Sequence, residues 1–330
     1  MLADVLLHWP YLAKLSHDTA SSLTLDYTKD QQYVVEKDLH HGAFFMTNHR
    51  DIVMDSAWLS YLVERKYGIR PFIGIGNNLF GKKWIEPFVR LNRAFVVIRD
   101  GSPRELLQRS KTLSEYIHHL RAEHKSIWLA QREGRAKDGN DRTQGAVLKM
   151  LTLGGENFLD AIYQLNICPV SLSYEFDPCD YLKAAEFQLK RDNPAWHKST
   201  KDDLTSMSTG IKGHKGRVAY DTAPCINQWI DDYADLPAGQ FYEAVASRID
   251  REIHRRYHLF PGNYVALDLL EGTRVNADHY TSADEERFSA YLAAQLAKID
   301  IPDKDETFLR ERILTMYANP VRNQRAAIEG

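Results

Sequence analysis

Gly42-Ala43-Phe44-Phe45-Met46-Thr47-Asn48-His49-Arg50-Asp51-Ile52-Val53-Met54-Asp55 is the stretch on which the fold turns. An apolar, strand-like approach over residues 42–46 empties into a polar turn, and an apolar, helix-like run over 54–63 follows. His49 sits at the junction, with carboxylates two and six residues later. A side chain at a strand-to-helix junction lies at the end of a sheet, where a substrate can reach it. A carboxylate one or two helical turns on can fix the imidazole tautomer and raise its basicity. Those are the parts of a general base.

Outward from this turn, strands and helices alternate. The spacing predicts strands over 44–47, 71–76, 94–99, 126–131 and 167–174, and helices over 54–66, 102–125 and 156–164. Pro103 suits the first turn of the long helix. Such alternation argues for an α/β fold with a mixed, mostly parallel sheet flanked by helices. Residues 2–16 carry an apolar stripe at helical spacing, broken by Pro10, which reads as a helix packed on the core. Residues 180–237 read as polar and loop-rich, with a strand over 217–220. Helices follow over 240–256, 281–299 and 307–317, the second opened by Ser282 and Glu285 in capping-box spacing. The expected division is an α/β domain over 1–235 and a C-terminal helical extension over 236–330 packed on it.

Other stretches bear on chemistry. Arg99 stands past a buried strand end and before the turn residue Gly101, placed to hold an anion, although a salt bridge with Asp100 is the plainer reading. A second strand ends in Arg132-Glu133-Gly134-Arg135, where the cations suit phosphate and Gly134 lets the backbone approach a ligand. A solvated charge run is the plainer reading there. Pro169, inside the apolar run 167–174, should mark an edge strand or a bulge, because proline lacks a ladder donor. Asn48 suits a backbone cap. Of the thirteen histidines, His118, His119, His254 and His258 read as solvated or packing residues. His49-Arg50-Asp51 also spells a protein-kinase catalytic tripeptide, but no Gly-rich loop precedes it and Ser56 stands where asparagine is needed.

The net charge of −3 over 330 residues offers no global reason to expect nucleic acid. Cys168, Cys179 and Cys225 lack C-x-x-C spacing, so neither a disulfide framework nor a zinc site is signalled, and a reducing cytosol suits them. No stretch approaches about 18 uninterrupted apolar residues. The start, Met1-Leu2-Ala3-Asp4, lacks the basic region of a signal peptide.

Taken in order, these blocks resemble the glycerolipid acyltransferase family, which includes glycerol-3-phosphate and 1-acylglycerol-3-phosphate acyltransferases. Asn48-His49 through Asp55 looks like the family's histidine–aspartate block, and Arg93 through Arg99 like its Gly-x-x-Phe-Ile-x-Arg block. Arg132-Glu133-Gly134-Arg135 is similar to the Pro-Glu-Gly-x-Arg block, and Ile167 through Val170 to the proline-containing strand. The likeness covers roughly residues 40–175. There are departures. The histidine–aspartate gap is five residues where the family has four, which puts Met54 at the family's aspartate position. Arg93 stands where glycine is usual and Arg132 where proline is, and Arg135 follows Gly134 directly.

The resemblance implies an O-acyltransferase of phospholipid biosynthesis. It would move a fatty acyl group from acyl-CoA or acyl-carrier protein to a hydroxyl of a glycerophosphate-like or other polar-lipid acceptor. His49 would be the general base, oriented by Asp55 or, alternatively, Asp51; Asp55 keeps the loop-histidine, helix-aspartate geometry. Arg99, Arg132 and Arg135 would hold the acceptor phosphate or the donor's anionic carrier, with Glu133 and Gly134 shaping the pocket. No metal and no cofactor are implied beyond the thioester co-substrate, and no nucleic acid is expected as a partner. The protein would be cytoplasmic and peripheral on the inner face of the membrane, touching it through residues 2–16 or Lys82-Lys83-Trp84. Two other classes stay open. One is a metal-dependent phosphoesterase using His49, Asp51 and Asp55 with His40 or His41; the other is a non-catalytic lipid- or CoA-binding protein.

Overall fold

The computed structural model describes residues 2–26, 39, 41–77, 93–155 and 157–330, and of residues 2–9 and 11 the backbone alone. Described first are α1 (Leu2–Thr19), β1 (Ala20–Asp26), β2 (Phe44–Thr47), α2 (Met54–Tyr67), β3 (Phe72–Gly76) and β4 (Ala94–Val97). Next come α3 (Pro103–Ala122), β5 (Ile127–Ala130), α4 (Gly145–Leu151), α5 (Phe158–Leu165) and β6 (Ile167–Tyr174). The chain continues with α6 (Asp180–Asp192), α7 (Thr200–Lys212), β7 (Gly216–Thr222), α8 (Ala238–His254), α9 (Pro261–Glu271), α10 (Ser282–Ala297) and α11 (Glu306–Glu329).

The strands form one sheet in the order β1-β7-β6-β2-β5-β3-β4. β2 through β6 run parallel, while β7 is antiparallel to β6 and β1 joins β7 in parallel. The fold is therefore α/β with a mixed, mostly parallel sheet. Both faces are covered, as the apolar strand runs require. Alternation sends Phe44, Met46, Ile127 and Leu129 to one face, under α3, α4, α5 and α8. Phe45, Trp128, Cys168 and Val170 point the other way, against Met54, Trp58, Leu59 and Val63 of α2.

This layering sets the site. From β2 the chain proceeds to β3, on the β5 side of β2; from β5 it proceeds to β6, on the opposite side. Neighbouring strands whose connections leave in opposite directions open a crevice outside their carboxyl ends, where ligands bind in open α/β sheets. His49 follows β2, and Arg132 to Arg135 follow β5.

Several local expectations are corrected. Residues 180–237 hold two helices of 13 residues each, α6 and α7, and not loops; Ser199 and Asp202 form a capping box at the start of α7. The α10 box uses Thr281 and Asp284, one residue earlier than Ser282 and Glu285. Pro169 lies in neither an edge strand nor a bulge, since β6 is interior and fully buried. The missing donor is tolerated because the β6–β7 register starts at Val170. Beyond it, Pro169 O accepts from Ala223 N at 2.9 Å, and the Ala223 carbonyl takes the Cys168 thiol instead, also at 2.9 Å.

α1 passes through Pro10 unbroken; Leu12 is buried and Leu15 packs on the α2 side of the core. Lys82-Lys83-Trp84 and His40 lie outside the described residues. A boundary at 235/236 does not separate the apolar clusters. α8 covers the sheet through Phe241, Val245, Ile249 and Ile253, whereas α9, α10 and α11 build a second core that includes Phe176 and Ala184 of α6. Among the described residues no helix is long and apolar enough to cross a membrane.

Candidate active site

The β2 ladder ends at Thr47, whose carbonyl accepts from Gln131 N at 2.9 Å. Asn48 then continues the pairing with its side chain. Its Nδ2 donates to Leu172 O at 3.0 Å and its Oδ1 accepts from Leu172 N at 2.8 Å. Asn48 thus fastens the turn to β6, where a helix cap was expected. The main chain is freed to present His49, whose N–H donates to Asp141 Oδ2 at 2.6 Å and whose carbonyl accepts from Ala136 N at 3.2 Å.

The imidazole Nδ1 lies 2.9 Å from Asp55 Oδ2. Asp55, in the first turn of α2, is fully buried. Its other partners are all donors: Arg50 N at 2.7 Å, Asp51 N at 3.0 Å and the Tyr174 hydroxyl at 2.9 Å. An acceptor so surrounded assigns the Nδ1 proton to His49 and leaves the lone pair on Nε2. Nε2 has no hydrogen-bond partner among the described residues. The ring side chain is 13% exposed and meets Trp128 edge-on, with centroids 6.2 Å apart.

Asp55, not Asp51, is the imidazole's partner. The helix starts at Met54, so Asp51 precedes it and the two carboxylates do not share a helical face. Asp51 Oδ1 instead accepts from Val53 N at 2.9 Å and Met54 N at 2.8 Å, closing the amino end of α2. Burial pushes the Asp51 carboxyl up, with the Asp55 charge adding to this and Arg135 opposing it.

The loop after β5 supplies the rest. Arg132 Nη1 stands 3.9 Å from Asp141 Oδ1, so one carboxylate links this cation to the His49 main chain. Arg99 pairs with Glu133 Oε1 at 3.7 Å and not with Asp100, which draws the end of β4 towards the β5 loop. Gly134 has φ +67°, a conformation that favours glycine, and a Cβ there would meet nothing within 4 Å. The Arg135 guanidinium has no hydrogen bond or ion pair among the described residues. The expected cations therefore follow the carboxyl ends of β5 and β4, while His49 follows β2.

Sequence reading missed Asp141 as the anchor of His49 and Tyr174 as a partner of Asp55. Asp141 carried no signal beyond a charge run. As for metal ligation, both Asp55 oxygens and Asp51 Oδ1 are already engaged by N–H or O–H donors. No three His, Cys, Asp or Glu side chains among the described residues are grouped to hold a metal ion.

His254 supports the loop from α8, donating from Nε2 to the Asp141 carbonyl at 2.8 Å. Burial pushes this imidazole down to about 4, with Arg142 acting in the same sense and the Asp141 hydrogen bond opposing. A base held neutral in the fold contributes stability that is full above its unfolded pKa, roughly 6.5, and lost as pH falls towards the folded value. At pH 5 the loss is about 2 kcal/mol. Urea unfolding between pH 7 and 5 is expected to show it, and His254→Gln, which keeps a donor for Asp141, to flatten that part of the profile. Compared with protein-family models and with curated proteins, the chain matches none.

Proposed function

We propose that this chain is an O-acyltransferase that moves a fatty acyl group from acyl-CoA or acyl-carrier protein to a hydroxyl of a glycerophosphate-like or other polar-lipid acceptor. The observation that carries the reading is the His49–Asp55 pair, with Nδ1 tied to a buried carboxylate and Nε2 free at the carboxyl end of the central strand. The order of the four sequence blocks supplies the acyl-transfer chemistry.

In this mechanism the acceptor hydroxyl gives its proton to His49 Nε2 as its oxygen attacks the thioester carbonyl carbon. The new C–O ester bond forms, the C–S bond breaks, and the departing thiolate takes the proton back from the imidazolium. Asp55 stabilises that imidazolium and keeps Nε2 aimed outward. Neither a covalent acyl-enzyme nor a metal is part of this scheme. Arg132, Arg135 and Arg99 face the acceptor phosphate or the anionic carrier of the donor, as charge-assisted contacts. A lipid acceptor would bring the protein to the cytoplasmic face of a membrane as a peripheral protein.

The test is thiol release from a long-chain acyl-CoA, followed with and without glycerol-3-phosphate or its 1-acyl derivative. Acceptor-dependent release with formation of the ester is the expected result. Thiol release that ignores every acceptor, or phosphate-ester hydrolysis abolished by a chelator, would sink the reading.

A further inference from the structure

We propose that Lys183 is a positioning residue for the His49–Asp55 pair, clamping the turn between them and tying it to the C-terminal helices. Its kinetic consequence rests on the acyl-transfer reading; its geometry does not. Lys183 belongs to α6, 133 positions along the chain from Arg50, and is 2% exposed. Its Nζ donates to the Arg50 carbonyl at 2.9 Å and to Asp177 Oδ2 at 2.6 Å.

The peptide unit joining Arg50 to Asp51 is thereby held on both edges. Its carbonyl takes the ammonium, and its N–H donates to both oxygens of Asp55 at 3.0 Å. A cation on the carbonyl polarises the amide and strengthens the N–H as a donor to the carboxylate. Taking an ammonium out of water is expensive unless it is paired and hydrogen-bonded. Here one bond satisfies the charge and another is spent on the turn that carries the base. Asp177 N in turn donates to the Tyr317 hydroxyl at 2.8 Å, and that hydroxyl donates to Asp180 Oδ2 at 2.9 Å. α11 thus ends a chain of contacts that begins one residue from His49.

Asp177 also faces the buried Arg50 guanidinium, so the informative variant is Lys183→Met with Asp177→Asn, compared with Asp177→Asn alone, which takes the same charge from Arg50. If Lys183 only balances charge, the pair does no worse than Asp177→Asn alone. If it positions the turn, kcat for acyl transfer falls about 10–100-fold below that of Asp177→Asn while KM for the donor stays within about twofold. The downfield Nδ1–H proton signal of the His49–Asp55 bond, read by NMR without substrate, is expected to weaken with it. A folded pair variant with the kcat and the signal of Asp177→Asn alone overturns the proposal. Should the pair not fold, Tyr317→Phe carries the test: a smaller loss in both readouts is expected, and none overturns it. Wild-type protein without acyl transfer would sink the proposed function alone, since the proton signal still decides the role of Lys183.

Discussion

His49→Ala is expected to leave the fold intact and to lower kcat for acyl transfer by about 10²–10⁴-fold, the usual worth of a positioned general base. The fold survives because the turn is held by main-chain contacts that alanine keeps, from His49 N to Asp141 and from Ala136 N to the His49 carbonyl. Asp55 loses one donor and retains Arg50 N, Asp51 N and Tyr174. KM for the donor should hardly move, because the cations proposed to bind it lie on other strand ends. Steady-state kinetics with a matched unfolding curve check both halves. Acyl transfer that persists within a factor of a few assigns the chemistry to other residues and removes His49 as its base.

Asp55 should separate catalysis from stability. Asp55→Asn can keep its carbonyl oxygen where Oδ2 sits, accepting from His49 Nδ1 and Arg50 N, and turn its amide towards the Tyr174 hydroxyl, which can accept. The fold is expected to hold while kcat drops on the order of 10²–10⁴-fold, because the charge that stabilises the imidazolium is gone. Asp55→Ala removes the acceptor itself. Two buried main-chain N–H groups, the Tyr174 hydroxyl and the imidazole N–H lose their partner, and each orphaned donor costs about 1–3 kcal/mol. The expected loss is about 4–12 kcal/mol, comparable with an ordinary domain's whole stability. Urea midpoints read the difference. Equal stability of the alanine and asparagine variants would contradict the hydrogen-bond assignment.

The strand, turn and helix around His49 were legible because local signals agree there. An apolar run stops at Thr47, Gly68 ends α2 in a left-handed conformation, and Asp55 falls in the first helical turn. The mate of His49 was within six residues and could be found; Asp141, Tyr174 and Lys183 stand between 92 and 133 positions from their partners in the turn, and no short-range pattern announces them. α6 escaped for a related reason. Its buried face includes Lys183, Glu186 and Gln188, so the side that meets the protein carries the polarity normally reserved for solvent. In α7 the buried positions are Ser206 and Gly210, too small to register as an apolar stripe. β1 buries Leu25 alone, and half-exposed edge strands show little of the period that identifies interior ones. Hydrophobic periodicity finds cores and is blind to faces built from hydrogen bonds.

The pairing of β1 with β7 bears on how this molecule is made. Residues 20–26 find their ladder only at 216–222, so a nascent chain carries its first strand unpaired until most of the sequence has left the ribosome. Closing so long a loop is entropically slow, and the seam it forms lies at the rim of the sheet. That rim should zip last during synthesis and exchange its amide hydrogens first in the finished protein, while the turn bearing the imidazole stays protected deep in the middle strands.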